Sequence, residues 1–248
     1  MILTDDKLKF LEDKAKNIRR AIILMLVEAR SGHTAGALGM TDIFTALYFG
    51  LLNHNPQKPD WPERDRVILS NGHICPVLYA TLAEADYFDK KELSTLRKYG
   101  SRLQGHPHRE FFPLVETSSG PLGEGLAQAI GMALADRLDK GSQKFFYCLM
   151  SDGELQEGST WEAVMLAGKE KPHNLIAIVD RNNIQIDGHT EEVMPLEPLA
   201  DKWRAFGWQV IEIDGHSFSE IFDAVGMAKS VFNRPSVIIA HTTPGKGV

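Results

Sequence analysis

The chain has 248 residues, 43% of them hydrophobic and 24% charged, which is the balance of an ordinary globular protein. A net charge of -6 without a Lys/Arg run argues against a nucleic-acid-binding surface. No apolar run approaches the roughly 20 residues of a membrane-spanning helix, and the charged start of the chain is not typical of a signal peptide. Two cysteines, Cys75 and Cys148, exclude a disulfide scaffold, and we expect both in the core. These features predict a cytoplasmic protein.

The first half of the chain is predicted to be helical, with one short strand. Hydrophobic residues recur at helical spacing from Lys7 to Arg30, and Thr4 or Asp5 is suited to cap that helix. After a glycine-bearing break, further helices are predicted at 41–52, 76–85 and 90–98, and a buried strand at 67–70. The stretch 100–120 has little periodicity, so we interpret it as a loop, and loops of this length are usually functional or mobile.

The second half alternates between strands and helices. Continuous apolar runs predict strands at 144–150, 175–179, 209–213 and 236–240. Helical patterns alternate with these strands, at 122–138, 161–169, 196–206 and 218–232. Alternation of this kind is typical of an α/β fold with a central parallel sheet and helices on both faces. We find no repeat and no linker, so one domain is expected over residues 1–248.

Polar residues follow two of the predicted strands. Asp152 and Gly153 come after the strand at 144–150, and Asn182 follows the next strand. Because ligands bind at the carboxyl ends of strands in such sheets, these residues are candidates for one site. A carboxylate and an amide carbonyl are hard ligands that suit Mg²⁺ or Ca²⁺, and Mg²⁺ commonly bridges to phosphate oxygens. The alternative is that Asp152 caps a helix and Asn182 lies in a turn.

Histidines that follow glycine form a second signal. Five of the nine histidines do so, where chance predicts about one. For His189 and His216 the preceding Asp-Gly pair favours a simple turn. His33, His73 and His106 lie in glycine-bearing loops, where neutral imidazoles can contact phosphate or sugar oxygens or move protons. A zinc site from these three is a less favoured alternative, because their spacing matches no zinc motif.

A glycine-rich segment forms a third, weaker signal. Three glycines fall within six residues in Gly120-Pro121-Leu122-Gly123-Glu124-Gly125. The segment resembles a phosphate-cradling loop, although its spacing is neither the dinucleotide nor the Walker pattern. The alternative is a loop that feeds a closely packed helix.

Taken together, these motifs resemble the transketolase family. Ser151-Asp152-Gly153, followed about 30 residues later by Asn182, looks like the thiamin-diphosphate motif of Gly-Asp-Gly and a distant Asn. The segments carrying His33, His73 and His106, and Gly120-Pro121-Leu122-Gly123, match transketolases in order and at close to family spacing. The resemblance covers essentially the whole chain, but only the N-terminal, diphosphate-binding half of a transketolase.

The resemblance implies a role for each matching residue at the cofactor. Asp152, the Asn182 side chain and the Ile184 carbonyl would hold the metal ion. The Gly153 N–H and His73 would contact the diphosphate of thiamin diphosphate. The lining near the aminopyrimidine would come from Gly120, Pro121 and Leu122.

The resemblance also implies roles in catalysis. His33 and His106 would face the sugar substrate and, with His73, surround the reacting centre. Glu157 would join a carboxylate network that reaches the cofactor of the partner, with Glu162 as a further candidate. A plainer alternative for Glu157 is an acid in the first turn of a helix, which is favourable in any protein.

The sequence also departs from the family pattern. Ser151 replaces the first glycine of the thiamin motif, and Asn183 stands where glycine often follows the metal-binding Asn. Thr34 and Cys75 replace residues usual beside His33 and His73, which puts the substrate preference in doubt. None of these changes removes a ligand.

The implied reaction is the transfer of a two-carbon ketol unit from a ketose phosphate to an aldose phosphate. The family's activating glutamate and pyrimidine pocket belong to the second half of a transketolase. We therefore expect either one subunit of a split α2β2 enzyme or a truncated fragment, active only with a C-terminal partner. The alternatives are a deoxyxylulose-phosphate synthase, a keto-acid dehydrogenase E1 subunit, or a non-catalytic diphosphate-binding subunit. A metal phosphohydrolase is less favoured, because a second acidic cluster is missing.

Overall fold

A computed structural model describes residues 3–139, 144–186 and 188–248. The helices are α1 (Asp5–Ala29), α2 (Ala35–Gly39), α3 (Thr41–Ala46), α4 (Cys75–Glu84), α5 (Gly125–Leu138), α6 (Gly158–Glu170), α7 (Thr190–Val193), α8 (Leu199–Ala205) and α9 (Phe218–Lys229). The strands are β1 (Arg66–Leu69), β2 (Phe146–Ser151), β3 (Leu175–Arg181), β4 (Ile184–Gln185), β5 (Gly188–His189), β6 (Gln209–Asp214) and β7 (Ser236–His241). A π-helical turn, Leu47–Leu51, continues α3, and 3₁₀ turns cover Gly72–Ile74, Lys90–Thr95 and Gly153–Gln156.

Five parallel strands form the central sheet, in the order β1-β2-β3-β7-β6. In this register Ser151 pairs with Asp180 and Arg181 pairs with His241. The carboxyl ends of β2, β3 and β7 therefore lie side by side along one edge of the sheet. The segments that follow these strands share that edge.

The core lies in two layers, one on each face of the sheet. Tyr147 and Leu149 of β2 pack with buried residues of α1, α3, α4 and α9. The alternate residues Cys148 and Met150 pack on the other face with α5, α6 and α8. Every residue of β2 and β3 is buried, which explains their continuous apolar sequence. The predicted α/β fold with helices on both faces of a parallel sheet is confirmed.

Several local features of the chain can be compared with the sequence predictions. The Thr4 hydroxyl accepts a hydrogen bond from the Lys7 N–H and caps α1, with Asp5 in its first turn. Both cysteines are buried and free, as expected. Residues 100–120 form neither helix nor strand. No helix in the described part of the chain combines the length and hydrophobicity needed to cross a bilayer.

Several predicted helices are shorter than expected, and the one predicted over 218–232 ends at Lys229. The helix predicted from 122 begins at Gly125, because Gly123 has a positive φ of 84° and its N–H is bonded to Glu154. The helix predicted over 90–98 is a 3₁₀ turn, because Arg97 adopts a φ of 60° and its N–H bonds to the Leu103 carbonyl. The helix predicted from 196 begins at Leu199, because Glu197 precedes Pro198 and helical geometry is disfavoured for a residue before proline.

A small hairpin and a short helix follow β3 and were not predicted. Strands β4 and β5 pair antiparallel, with Ile184 opposite His189. Helix α7 begins directly after β5. The Asp-Gly turn predicted at 187–188 involves Asp187, which lies outside the described residues. The hairpin and α7 place the segment after β3 next to the end of β2.

Candidate functional site

The candidate site lies where β1, β2 and β3 end. Ser70 and Asn71 follow β1, Asp152 follows β2, and Asn182 follows β3. The first two strands are in register up to the pair Leu69 and Leu149, so their following loops meet. The fold therefore gathers the sequence motifs that follow these strands on one edge of the sheet.

Asp152 is fully buried at this edge, and hydrogen bonds hold both of its carboxylate oxygens. Its Oδ2 accepts from the Asn183 N–H at 2.7 Å, from the Arg181 guanidinium at 3.0 Å and from the Thr190 hydroxyl at 3.1 Å. Its Oδ1 accepts from the Gly153 N–H at 2.8 Å. Burial raises the pKa of Asp152, while the contacts with Asn183 and Arg181 oppose that rise.

The segment 182–184 lies against this carboxylate. The Asn182 Oδ1 accepts from the Ile184 N–H at 2.9 Å, and its Nδ2 donates to Asp180 at 2.9 Å. Asn183 has a φ of 64°, a left-handed conformation that favours glycine and that Asn tolerates better than most residues. This geometry explains why Asn can stand where the family often has glycine.

A second buried acid, Asp180, accepts a hydrogen bond from the side-chain amide of Asn182. Burial raises the pKa of Asp180 to about 7, and the neighbouring charge of Asp152 adds to the rise. The Thr242 hydroxyl, which follows β7, also bonds to Asp180. Asp180 therefore fixes the amide of Asn182 and leaves the amide oxygen directed away from it.

The three Gly-His loops bring their histidines together. The ring centroids of His33 and His73 are 5.1 Å apart, and those of His33 and His106 are 6.5 Å apart. Burial lowers the pKa of His73 to about 4, with His33 and His106 adding to the effect. Burial also lowers the pKa of His106, and the charges of His33 and Arg97 lower it further. His73 and His106 are thus held neutral near pH 7, and can each donate or accept a proton.

The zinc alternative finds no support in the described residues. Among them, no group of three or more His, Cys, Asp or Glu side chains is placed to hold a metal ion. The predicted magnesium set needs only one carboxylate, because its other donors are an amide oxygen and a backbone carbonyl.

Glu154 joins three loops of the site and was not predicted from the sequence. It is fully buried and accepts hydrogen bonds from the Ser70 hydroxyl, from the Gly123 N–H at 2.8 Å and from the Ser151 N–H at 3.3 Å. The Ser70 hydroxyl in turn accepts from the Gly125 N–H at 3.0 Å. Burial raises the pKa of Glu154, and these hydrogen bonds oppose the rise. No local pattern in the sequence signals this role, because the partners Ser70 and Gly123 are distant from Glu154 along the chain.

The remaining predicted residues differ in how accessible they are. Space is open beside Gly120, and Pro121 is exposed. Leu122 is half-buried, whereas Glu157, directly before α6, and Glu162 on α6 are exposed. Glu157 is close enough to Glu154 for its charge to raise the pKa of that residue. These residues are accessible to a ligand, and their individual roles stay predictions.

Unsatisfied polar atoms test whether this edge fits a polar cofactor. Within the described residues, the buried side chain of Asn71 has no hydrogen-bond partner for either its oxygen or its nitrogen, and the Ser119 hydroxyl also has none. Gly72 lies so close to Ser119 that an added Cβ would be 2.3 Å from the hydroxyl oxygen. Buried polar atoms without partners are rare in proteins, so these atoms suit a polar ligand between the loops. The donor set of Asp152, Asn182 and Ile184 likewise fits a hard divalent cation.

Cys75, a departure from the family pattern, lies behind the histidines. Its thiol is buried, and it donates to the carbonyls of Gln104 and Gly105 at 3.5 and 3.2 Å. The Tyr79 hydroxyl donates to the Gln104 carbonyl at 3.0 Å. Cys75 and Tyr79 therefore hold the loop that presents His106, and the thiol does not face the open side of the site.

His216 does more than the simple turn predicted for it. Its N–H bonds to the Asp214 side chain, as in a turn. Its ring also contacts Asp42 at 2.9 Å and accepts from the Thr243 N–H at 2.7 Å. The ring therefore ties α3 to the segment that follows β7.

Comparisons with known proteins agree with this geometry. Residues 11–248 match the family model described as the thiamine diphosphate binding domain of transketolase. The chain is 44% identical to the 6-deoxy-6-sulfo-D-fructose transketolase subunit SqwG of Clostridium sp. (strain MSTE9), over 96% of this chain and 86% of that protein. It is 41% identical to an apulose-4-phosphate transketolase subunit of Phocaeicola vulgatus, over 96% of this chain and 84% of that protein.

Longer transketolases match over part of their length. The chain is 40% identical to human transketolase, covering 98% of this chain and 38% of that protein. It superposes on the crystal structure of the Campylobacter jejuni transketolase with a TM-score of 0.91 and 37% identity, covering 96% of this chain and 38% of that one. The chain thus spans little more than a third of these proteins. It belongs to the transketolase family, and it corresponds to that family's N-terminal, thiamin-diphosphate-binding half or subunit.

Proposed function

We propose that this chain binds thiamin diphosphate through a divalent cation and forms one half of an enzyme that transfers a two-carbon ketol unit between sugars. The observation that carries the proposal is the 2.7 Å hydrogen bond from the Asn183 N–H to Asp152, which holds the segment 182–184 against the end of β2. This contact supports a site in which the Asp152 carboxylate, the Asn182 amide oxygen and the Ile184 carbonyl would be neighbours. That donor chemistry suits Mg²⁺ or Ca²⁺ that also binds diphosphate oxygens.

The residues that would hold the cofactor follow from these positions. Asp152, the Asn182 amide oxygen and the Ile184 carbonyl would bind the cation. His73 would contact the diphosphate, and so would the Gly153 N–H, which in this structure donates to Asp152 Oδ1. The Asn71 side chain, which has no partner among the described residues, is an additional polar neighbour. Thiamin diphosphate, when bound, supplies a centre that stabilises a carbanion. The open space beside Gly120 and the accessible Pro121 and Leu122 suit its aminopyrimidine end.

The histidines would act on the sugar. His33 and His106 are exposed at the open side of the cluster, so they can contact substrate hydroxyl groups. His73 is more buried and stays neutral near pH 7, because burial lowers its pKa to about 4. Neutral imidazoles close together can take the proton that a donor hydroxyl releases when its C–C bond breaks, and can return a proton to the acceptor's carbonyl oxygen when the new bond forms.

The partner and substrates are inferred from the relatives. Two of them are named as transketolase subunits, which supports a separate partner subunit. That partner would carry the pyrimidine-binding domain and the activating glutamate. The exposed Glu157 and Glu162 would form the carboxylate network toward that partner, in an α2β2 assembly.

The names of those relatives specify a sulfonated sugar and a sugar phosphate, so an anionic ketose and an aldose phosphate are the substrates we propose. The cytoplasmic location and the single domain over 1–248 stay predictions.

Reconstitution tests the proposal. The purified chain is mixed with its candidate C-terminal partner, thiamin diphosphate and Mg²⁺, and ketol transfer from a ketose phosphate is followed by product analysis. We expect activity only when both subunits, the cofactor and the cation are present, and loss on chelation of the cation. Transfer that proceeds without thiamin diphosphate would refute the proposal, and so would products formed from pyruvate alone.

A further inference from the structure

The two carboxylate oxygens of Asp152 have unequal surroundings. Three donors converge on Oδ2, namely the Asn183 N–H, the Arg181 guanidinium and the Thr190 hydroxyl, all within 3.1 Å. Among the described residues, the Gly153 N–H alone bonds to Oδ1. A carboxylate oxygen has about two lone-pair directions, so Oδ2 is fully used and Oδ1 keeps one direction open.

Arg181 is the charged member of this group of donors. Its side chain is 3% exposed, at the last residue of β3. Its Nη1 donates to Asp152, whereas its Nη2 donates to Glu191 at 2.7 Å and to Glu197 at 2.9 Å. One guanidinium therefore connects the end of the sheet to both ends of the segment 191–197.

The segment 191–197 is organised around the same contact. The Glu191 carboxylate also accepts from the Leu196 N–H at 3.1 Å and from the Glu197 N–H at 3.3 Å. Both glutamates are more exposed than Arg181, with side-chain exposures of 38% and 57%. They offset the guanidinium charge from the solvent side, so a cation on the opposite side of Asp152 meets less repulsion.

We propose that Arg181 is a positioning residue that fixes the rotation of the Asp152 carboxylate, so that the divalent cation binds through Oδ1. The inference rests on the proposed function and specifies how this chain builds its cation site. Arg181 is assigned no contact of its own with the substrate or the cation. It acts through Asp152, and Glu191 and Glu197 act by holding Arg181. Residues that orient a metal ligand in this way typically change metal affinity about 10–100-fold when they are replaced.

The test compares Arg181→Met with Arg204→Met in the enzyme reconstituted with its C-terminal partner. Arg204 is a matched control, because it also pairs with two acids, Asp201 and Glu212, but on an exposed surface. The Mg²⁺ affinity is measured by calorimetry at saturating thiamin diphosphate, and the urea midpoint is measured in EDTA. We expect Arg181→Met to weaken Mg²⁺ binding at least about tenfold, and Arg204→Met to leave it unchanged.

Further arms separate positioning from a general loss of structure. A positioning role predicts that excess Mg²⁺ restores most of the ketol transfer lost in Arg181→Met, and that Arg181→Lys is intermediate in Mg²⁺ affinity. Should Arg181→Met fail to fold, the double variant Glu191→Gln, Glu197→Gln takes its place, and we expect a smaller loss of Mg²⁺ affinity. Wild-type affinity in the folded variants overturns the inference while the proposed function stands. Absence of Mg²⁺-dependent cofactor binding by the wild-type enzyme overturns both.

Discussion

At the scale of single residues, the site depends on a few buried polar groups whose partners come from other loops. Asp152 and His73 were predicted from their motifs, because each lies in the segment that follows a strand and stands beside a glycine. Glu154 and Arg181 were not predicted, although each contacts more than one distant segment. Their roles arise from hydrogen bonds to those segments, and a single sequence carries no local pattern for such bonds.

The role of Asp152 can be tested by removing its charge alone. Asp152→Asn keeps the size of the side chain but replaces an anionic oxygen with a neutral amide, so we expect Mg²⁺-dependent binding of thiamin diphosphate to be lost. Calorimetry on the reconstituted enzyme measures this. Asp223→Asn, an exposed carboxylate on α9, is the charge-matched control. Binding by Asp152→Asn at wild-type affinity would remove this residue from the proposed cation site.

His73 gives the protein a defined dependence on pH. Its folded-state pKa is lowered from 6.5 to about 4, mainly by burial, so the unfolded chain binds the proton more tightly. The contribution of His73 to the free energy of unfolding is therefore complete above its pKa in the unfolded chain. That contribution is lost as the pH falls toward its pKa in the folded protein. We expect the free energy of unfolding to fall by about 1–2 kcal/mol between about pH 7 and about pH 5 on account of this group.

The measurement is urea unfolding at both pH values for the wild type and His73→Gln. The variant should lose that part of the pH dependence, whereas His241→Gln, whose side chain is 53% exposed, should keep it. An identical pH dependence in wild type and His73→Gln would show that His73 is not the group responsible.

At the scale of secondary-structure elements, periodicity predicted which elements exist better than where they begin. Helix α5 was expected from residue 122, since proline near a helix start is common and the following residues are good helix formers. Tertiary hydrogen bonds delay the start of the helix to Gly125, because the Gly123 N–H bonds to Glu154 and the Gly125 N–H bonds to Ser70. The β4–β5 hairpin was missed because each of its strands has only two residues.

Two glycines of α5 should respond to alanine in opposite directions. A Cβ at Gly125 would lie 2.4 Å from the Ser70 Cβ, so Gly125→Ala forces the helix away from β1 and should cost about 1–3 kcal/mol. A Cβ at Gly131 would meet nothing within 4 Å, so Gly131→Ala should stabilise the helix by about 0.5–1 kcal/mol. Urea unfolding at pH 7 compares them, and equal effects would contradict the close contact between α5 and the end of β1.

At the scale of the whole molecule, the α/β architecture was predictable because continuous apolar strands are buried on both faces. The two core layers follow directly from alternate side chains of β2 and β3. Contacts between distant parts of the chain were less predictable. Asp42 of α3 bonds to Arg19 of α1 at 2.6 Å and to His216, whose ring also accepts from the Thr243 N–H. Only the fold reveals that these four segments meet.

That junction should contribute measurably to global stability. Asp42 is 5% exposed, so Asp42→Ala leaves two basic side chains without their partner in a poorly hydrated place. We expect the free energy of unfolding to fall by about 3 kcal/mol. Asp201→Ala, which removes an exposed ion pair with Arg204, should cost less than about 1 kcal/mol. If both variants unfold at the same urea concentration, the junction is not a significant source of stability.

The buried carboxylate of Glu154 also bears on how this site could be re-engineered. Because it is shared by the turns carrying Ser70, Gly123 and Ser151, a graft of any one turn from a relative would bring a foreign backbone to an acceptor shaped by the other two. Chimeras that aim to alter sugar preference should therefore exchange the three turns together with residue 154 as one cassette.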